Sequence, residues 1–278
     1  MTLTLLLQIL SATIGLAVGS FVNVVIARVP NGISVAVPAS ACPKCGASIL
    51  KRDNIPVLSW ILLRGKCRYC SEPISLQYPL VELATALGFA IVTTLMILNR
   101  NVNTTTEITS AVLAGSAFAW FVATAIALVV IDIRHNRLPN ILVYPLYSAG
   151  LLLLTASSLL IQDTDAIVRA VIGLTVCSFA YGSIFVLAPG GMGWGDVKLA
   201  GILGFFLGWI GWGALFIGVL TAFGLGATFG LALIGLKRAR ANSSIPFGPW
   251  MIAGTFFGFV IGNQAWSSYL RYLASFKY

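Results

Sequence analysis

Apolar runs long enough to cross a bilayer follow one another along almost the whole chain. A transmembrane helix needs about 20 consecutive apolar residues, and the first run, from about Leu3 to Ala27, has no charged residue before Arg28. Only 9% of the 278 residues are charged, whereas soluble globular proteins carry about 25%. The composition therefore excludes a soluble globular enzyme. It also excludes an intrinsically disordered protein, because disordered chains are poor in apolar residues.

These runs predict an all-α, polytopic membrane protein of about eight transmembrane helices, forming a single membrane domain over 1–278. The first run lacks a basic start and a cleavage site, so we interpret it as a retained span rather than a signal peptide. Further spans are expected at about 79–98, 109–131, 139–161, 166–188 and 250–269. The run 197–236 is long enough for two spans, with a break near 209–213.

The distribution of lysine and arginine predicts the orientation of the helices. With the N-terminus outside, 13 of the 17 basic residues lie on the inner side, and four lie near the outer ends: Arg100, Arg169, Arg271 and Lys277. Inner loops of membrane proteins carry the excess of basic residues. We therefore expect the segment 30–77 to be cytoplasmic, and the net charge of +9 to reflect topology and contact with membrane lipid rather than nucleic acid.

The segment 30–77, inserted between the first two spans, contains four of the five cysteines as two Cys-x-x-Cys pairs, Cys42/Cys45 and Cys67/Cys70. Two thiolates separated by two residues can bind one ion from a tight turn, and four complete a closed tetrahedral site. A cytoplasmic location would keep the thiols reduced. We interpret the segment as a structural zinc loop, with two disulfides or a redox pair as alternatives.

Three of the eight carboxylates, Glu82, Asp132 and Asp196, lie within or at the edge of predicted spans. Ionisable groups at such positions are costly and usually functional. The chain crosses outward and back once between Asp132 and Asp196, so both should lie at the cytoplasmic face. Two close carboxylates can share a proton. One can then deprotonate a water while the other protonates a scissile carbonyl, as in aspartic proteases.

Each acid also has a structural interpretation. Asp132 could pair with Arg134 or Arg137 at a helix end, and Asp196 could cap a helix. Beside Asp196, Gly193 and Gly195 are expected to leave room for an extended substrate backbone. A proton-coupled transporter and an assembly scaffold that docks through the zinc loop remain alternatives to the protease.

Several elements of the chain occur together in one known family. They are 19–30, both cysteine pairs, 53–60, 64–70, 78–82, 131–134, 138–139, 193–199 and 245–249. With them the chain resembles the type IV prepilin peptidases, or leader peptidase/N-methyltransferases. The Gly-x-Gly-Asp element at 193–196 is similar to that of the GxGD membrane aspartyl proteases. The resemblance implies that Asp132 and Asp196 are the catalytic pair, within peptidase helices over 79–278.

The resemblance also implies the substrates and the location. Prepilins, and pseudopilins of type II secretion, would be cut after a glycine at the cytoplasmic face of the bacterial inner membrane, which removes a short basic leader. The new N-terminus would then be methylated with S-adenosylmethionine. The tetracysteine loop is characteristic of bifunctional members, and a peptidase without methyltransferase activity is the alternative.

Some positions carry no assignment or depart from the family. No glycine-rich fingerprint marks a methyl-donor site, and its residues stay unknown. Glu82 matches the family, and it either belongs to the methylation half or has a structural role such as pairing with a loop arginine. The family commonly has aspartate at Asn140 and histidine at Ala27, so we give Asn140 no catalytic role. Which pilins are processed and the oligomeric state also stay open.

Overall fold

A computed structural model describes residues 3–98, 103–188, 192–236 and 246–276. Over these residues the chain is helical and has no strand. The helices are α1 (Leu3–Arg28), α2 (Leu58–Leu62), α3 (Gln77–Thr93), α4 (Thr105–His135), α5 (Asn140–Leu160), α6 (Thr164–Leu187), α7 (Trp194–Ile210), α8 (Trp212–Gly235), α9 (Gly248–Phe257) and α10 (Asn263–Ser275). The prediction of an all-α membrane protein is confirmed.

Six helices in the described part of the chain are long and apolar enough to cross a membrane: α1, α3 with its π-helical continuation Thr94–Leu98, α4, α5, α6 and α8. The other two expected spans are less regular. Helix α7 has 17 residues, and α9 continues through the π-helical segment Gly258–Gly262 into α10. The exact number of eight spans stays a prediction.

The break expected near 209–213 lies at Gly211, between α7 and α8. Gly211 has a φ of 153°, which favours glycine. The side chain of Asn263 fills the space where a β-carbon would lie, because its Oδ1 would be 2.8 Å away. The basic residues Arg100, Lys237, Arg238, Arg240 and Lys277, and Ile245 of the element 245–249, lie outside the described ranges.

The chain forms two compact units, and α4 contributes residues to both. One unit comprises Met1–Asn103 with Gly115–Val130, and the other comprises Thr104–Ala114 with Ile131–Tyr278. In the first unit, α1 packs along α3, and a β-carbon on Gly15 would lie only 2.7 Å from Ala86 Cα. The division into a loop over 30–77 and peptidase helices over 79–278 stays a prediction.

Glycines allow the closest helix contacts in the second unit, as small residues do in membrane proteins generally. Helix α6 packs along α7 and α8 along α9. A β-carbon on Gly204 would overlap the carbonyl oxygen of Gly173, and one on Gly254 would lie 2.5 Å from the carbonyl oxygen of Gly218. These contacts within the chain hold α7 and α9 in place, and both helices begin at the candidate site.

Candidate functional site

Asp132 lies one turn before the end of α4 and is only 5% exposed. The helix ends because Asn136 adopts a left-handed conformation, with a φ of 48°, and its N–H donates to the Asp132 carbonyl. Asparagine tolerates this conformation better than most residues. The chain then turns through Leu138 and enters α5 after Pro139. Asp132 is therefore placed beside a tight helix-to-helix connection.

Asp196 lies in the first turn of α7, and its Oδ2 accepts the main-chain N–H of Gly193 at 3.0 Å. A carboxylate in the first turn is favoured by the helix dipole. The N-cap residue itself is Gly193, and Asp196 takes part in capping from the third helical position by accepting the Gly193 N–H. The ion pairs found in the described residues are Lys44–Glu72 and Arg68–Asp53, and neither involves Asp132.

The second unit brings Asp132 and Asp196 together through the starts of α7 and α9. The N–H of Gly248 donates to Asp132 Oδ2. Leu138 packs between the two helix starts, since a β-carbon on Gly195 would lie 3.2 Å from its Cβ and one on Gly248 would lie 3.3 Å from its Cδ2. Asp132 and Asp196 therefore lie at neighbouring helix ends that are joined through Leu138. Asp132 and Asp196 thus form a pair of acids in which each carboxylate accepts a main-chain N–H.

Gly248 is a site residue that sequence reasoning did not single out. The element 245–249 was noticed only as part of the resemblance, and no chemistry was attached to it. Its proline–phenylalanine–glycine–proline pattern was the available signal, because such a segment holds a fixed backbone path. A β-carbon on Gly248 would lie 2.7 Å from Asp132 Oδ2, so the position must stay glycine for the carboxylate to keep its place.

Gly193 and Gly195, expected to admit a substrate backbone, have contacts of their own. Gly193 is exposed and supplies the N–H that Asp196 accepts. Gly195 lies against Leu138, so a larger residue there would push the α4–α5 connection away from α7. That Gly193 and Gly195 admit a substrate backbone stays a prediction. Their contacts with Asp196 and Leu138 explain why small residues lie beside Asp196.

Lys198 ties the start of α7 to α5 on the other side of the helix from Asp196. The Lys198 ammonium donates to Asn140 Oδ1 at 2.5 Å. The hydroxyl of Tyr147 donates to the main-chain carbonyl oxygen of Lys198 at 2.6 Å. The ammonium also lies 5.7 Å from the centre of the Tyr144 ring. Asn140 therefore contacts a neighbour of Asp196 and not the acids themselves.

The four loop cysteines form a second candidate site, in the first unit. The sulfur atoms of Cys42, Cys45, Cys67 and Cys70 all lie within 4.8 Å of one another. The Cys42 and Cys70 sulfurs are 3.8 Å apart, which is too far for a disulfide. A zinc ion with bonds of about 2.3 Å places its sulfur ligands about 3.8 Å apart in a tetrahedron. All four thiols are free, and the cluster fits one metal ion.

The two cysteine pairs have the same local structure. Each turn is closed by a hydrogen bond from the residue after the second cysteine to the carbonyl of the first, namely Gly46 to Cys42 and Ser71 to Cys67. Gly46 and Ser71 both have positive φ. The main-chain N–H groups of Cys45 and Lys44 face the Cys42 sulfur and lower the pKa of that thiol to about 6. At Cys42 the turn thus favours the thiolate form that metals bind.

Glu82 lies in α3 and is 7% exposed. Its Oε2 accepts the main-chain N–H of Val57, from the loop, at 2.7 Å. The expected pairing with a loop arginine is not present in the described residues, since Arg68 is bonded to Asp53 instead. The guanidinium of Arg68 holds the pKa of the Asp53 carboxyl below its usual range. Glu82 is therefore a buried acid bonded to uncharged groups.

Two family models match the chain: the Bacterial Peptidase A24 N-terminal domain over residues 13–96 and the Type IV leader peptidase family over residues 119–231. Several proteins named prepilin leader peptidase/N-methyltransferase are similar over most of their length. That of Aeromonas hydrophila is 35% identical, covering 92% of this chain and 91% of its own. That of Pseudomonas aeruginosa is 32% identical, covering 95% and 93%. No solved structure matches the chain.

Proposed function

The chain belongs to the type IV leader peptidase family, and we propose that Asp132 and Asp196 perform its leader cleavage. Its function is to remove the leader of type IV prepilins and to methylate the new N-terminus. The observation that carries this assignment is the convergence of both acids with the main-chain N–H groups of Gly248 and Gly193. The chain is a multi-pass membrane protein, as a substrate with a membrane-embedded helix requires.

The proposed cleavage uses the two acids in complementary states. Each accepts its main-chain hydrogen bond on Oδ2, which leaves Oδ1 for the reaction. Two close carboxylates hold one proton between them. The ionised acid takes a proton from a water whose oxygen attacks the scissile carbonyl carbon, while the protonated acid donates to the carbonyl oxygen. When the resulting intermediate collapses, the C–N bond breaks and the amine that becomes the pilin N-terminus takes the proton that the first acid removed from water. The second acid regains its proton from a hydroxyl of the intermediate.

The proposed location is the bacterial inner membrane, with the N-terminus outside and both the zinc loop and the aspartates at the cytoplasmic face. The basic excess on the inner side supports this orientation. Prepilins and pseudopilins are the proposed substrates, cut after the glycine that ends a short basic leader. The pilin helix would lie in the bilayer beside the enzyme while its N-terminal junction meets the aspartates.

Zinc is the proposed metal of the Cys42, Cys45, Cys67 and Cys70 cluster. Four thiolates with no open position are typical of structural zinc, and the spacing of the sulfurs supports it. The short α2 helix and the turns of this loop have little apolar core of their own, so the ion would supply much of their folding energy. S-adenosylmethionine is the proposed methyl donor.

One experiment separates the proposed function from its alternatives. Purified protein in lipid nanodiscs is incubated with a prepilin, with and without S-adenosylmethionine, and the product is analysed by intact mass spectrometry. We expect a single cleavage after glycine in both samples and one added methyl group only with the donor. Cleavage without any methylation would mean a peptidase alone. An intact prepilin would contradict the function and favour the transporter alternative.

A further inference from the structure

Helix α2 of the cysteine loop has an exposed apolar face. Leu58, Ile61 and Leu62 share one side of the helix, because residues three and four apart lie on the same face, and they are 55%, 56% and 77% exposed. We call these three residues the α2 apolar face. Amphipathic helices of soluble proteins turn such a face toward a core, whereas contiguous exposed apolar residues mark an interaction surface. Helix α2 is turned outward, which indicates a partner beyond the described chain.

Hydrogen bonds hold α2 in this orientation. Ser59, which points away from the apolar face, is 8% exposed, and its hydroxyl accepts the N–H of Ile55 at 3.0 Å. The indole N–H of Trp60 donates to the Ile74 carbonyl at 3.0 Å. The Trp60 ring lies so close to Gly65 that a β-carbon there would be 2.9 Å from it. Rotation of α2 to bury its apolar face would break these contacts.

The contact between Val57 and Glu82 shows how deep the start of α2 lies. The main-chain N–H of Val57 donates to Glu82 Oε2 at 2.7 Å, and Glu82 lies five residues after Gln77, where the membrane-spanning segment begins. A β-carbon on Gly19 would lie 2.7 Å from Glu82 Cα. Gly19 precedes Arg28, the last residue of α1, by about 13 Å at 1.5 Å per residue. The loop therefore returns from the end of α1 to the level of the first turns of the α3 span.

Lipid at the boundary between headgroups and acyl chains is the occupant that fits this depth. Amphipathic helices that lie in this boundary bury their apolar face about 5–10 Å into it. Leu80 and Leu83, on either side of Glu82 in α3, are exposed like the α2 apolar face, as expected for side chains that face lipid in a membrane-spanning helix. The lipid-contacting surface of α3 therefore begins at the level of α2.

The charges around α2 indicate the kind of lipid. The ion pairs described in the loop are Lys44–Glu72 and Arg68–Asp53, and they use both acids of the segment 30–77. Basic residues next to a membrane anchor attract anionic headgroups. Four exposed basic residues of the segment have no ion-pair partner among the described residues: Lys51, Arg52, Arg64 and Lys66.

We propose that the α2 apolar face inserts between the headgroups of the bilayer, and that these four basic residues bind the phosphates of anionic lipids. This interaction goes beyond the proposed cleavage and methylation, and it would dock the metal-binding loop on the membrane surface. A second copy of the chain fits less well, because a symmetric contact would bring identical basic residues together. The proposed leader of the substrate is itself basic, so the same residues would repel it.

Photocrosslinking in lipid nanodiscs tests the insertion with the full-length protein. Leu62→benzoylphenylalanine and, as a second site, Ile61→benzoylphenylalanine are illuminated, and intact mass spectrometry identifies the adducts. We expect lipid adducts at yields similar to those of Leu87→benzoylphenylalanine, at an exposed position of α3. Trp60→benzoylphenylalanine is the matched control on α2. Because Trp60 faces the loop, this variant should form few lipid adducts.

Hydrogen–deuterium exchange tests the choice of lipid. The amides of 58–62 in α2 should exchange more slowly in discs of phosphatidylcholine mixed with phosphatidylglycerol than in phosphatidylcholine alone. Arg64→Gln and Lys66→Gln should each raise the rate in the anionic discs about fivefold, the effect of one basic residue near a charged surface. Lys44→Gln is the matched control, since Glu72 already neutralises Lys44, and it should leave the rate unchanged.

The outcomes separate lipid from the other partners. Absence of lipid adducts at both Leu62 and Ile61, or adducts to a second copy of the chain or to added prepilin in their place, would overturn the insertion. Equal exchange in the two kinds of disc would overturn the binding of anionic lipid. Neither measurement depends on cleavage or methylation, so these results would leave the proposed function standing. A protein that formed the lipid adducts but did not process prepilin would contradict the proposed function alone.

Discussion

The main-chain N–H of Gly248 lies 3.1 Å from Asp132 Oδ2 and donates a buried hydrogen bond to it, although the residues are 116 positions apart. This bond fixes one oxygen of the acid at the end of α4 against the start of α9. Only a residue without a side chain allows the approach. The position of the Asp132 carboxylate therefore depends on the backbone of a different helix, and this dependence can be tested.

Gly248→Ala should reduce leader cleavage about 100-fold, because displacing a catalytic group by about 1 Å has an effect of that size. The added carbon would lie 2.7 Å from Asp132 Oδ2. Initial cleavage rates of a purified prepilin measure the effect. Gly224→Ala in α8 is the control, since its added carbon meets no atom within 4 Å. Equal rates for both variants would show that the Gly248 contact does not position the acid.

The contact between α6 and α7 predicts a stability effect without a direct catalytic one. A β-carbon on Gly204 would overlap the carbonyl oxygen of Gly173, so Gly204→Ala should force the helices apart. Overpacking of this kind destabilises by about 1–3 kcal/mol. Thermal unfolding in detergent should show a midpoint several degrees below wild type. A midpoint equal to that of Gly224→Ala would contradict the packing described.

Removal of cysteine ligands should remove the metal. Wild-type protein is expected to bind about one zinc ion per four-thiolate site, measured by mass spectrometry of the metal content after purification without added chelator. Cys42→Ser and Cys67→Ser should each lose most of it, because each takes away a ligand from a closed site. Cys177→Ser, in the buried face of α6, should keep the full content. Zinc retained in both loop variants would refute the site.

Asn140→Asp tests whether this position acts on the acids or on Lys198. Because Asn140 Oδ1 bonds to the Lys198 ammonium, the aspartate should form an exposed ion pair, which contributes less than about 1 kcal/mol. We expect cleavage close to the wild-type rate and an unfolding midpoint equal or slightly higher. A cleavage rate reduced tenfold or more would mean that the added carboxylate disturbs the Asp132 and Asp196 pair.

Much of the fold follows from the sequence because the lengths of apolar runs are a local signal. The approximate bounds of helices α1, α3, α4, α5 and α6 and the break at Gly211 could be predicted in this way. Run lengths alone did not distinguish α7, with 17 residues, from a full span. They also gave no sign of the π-helical segment that divides the last run into α9 and α10.

The two acids of the site could be predicted from the sequence, but the contacts that hold them in place could not. Asp132 and Asp196 stand out because carboxylates are rare in this chain. The bond from Gly248, the packing of Leu138 between two helix starts and the Glu82 contact with Val57 join residues far apart in sequence. No local pattern encodes such contacts, since they depend on how the helices pack.

Asp132 and Asp196 are proposed to cleave the leader together, and single substitutions of the two residues test this pairing most directly. Initial cleavage rates of a purified prepilin are measured for Asp132→Asn and Asp196→Asn, with Asp165→Asn, in the exposed first turn of α6, as the control. We expect both site variants to insert and fold like wild type but to cleave at least about 1,000-fold more slowly. Each substitution leaves a pair that can no longer supply both an acid and a base. A variant of either aspartate that cleaved at the wild-type rate would contradict it.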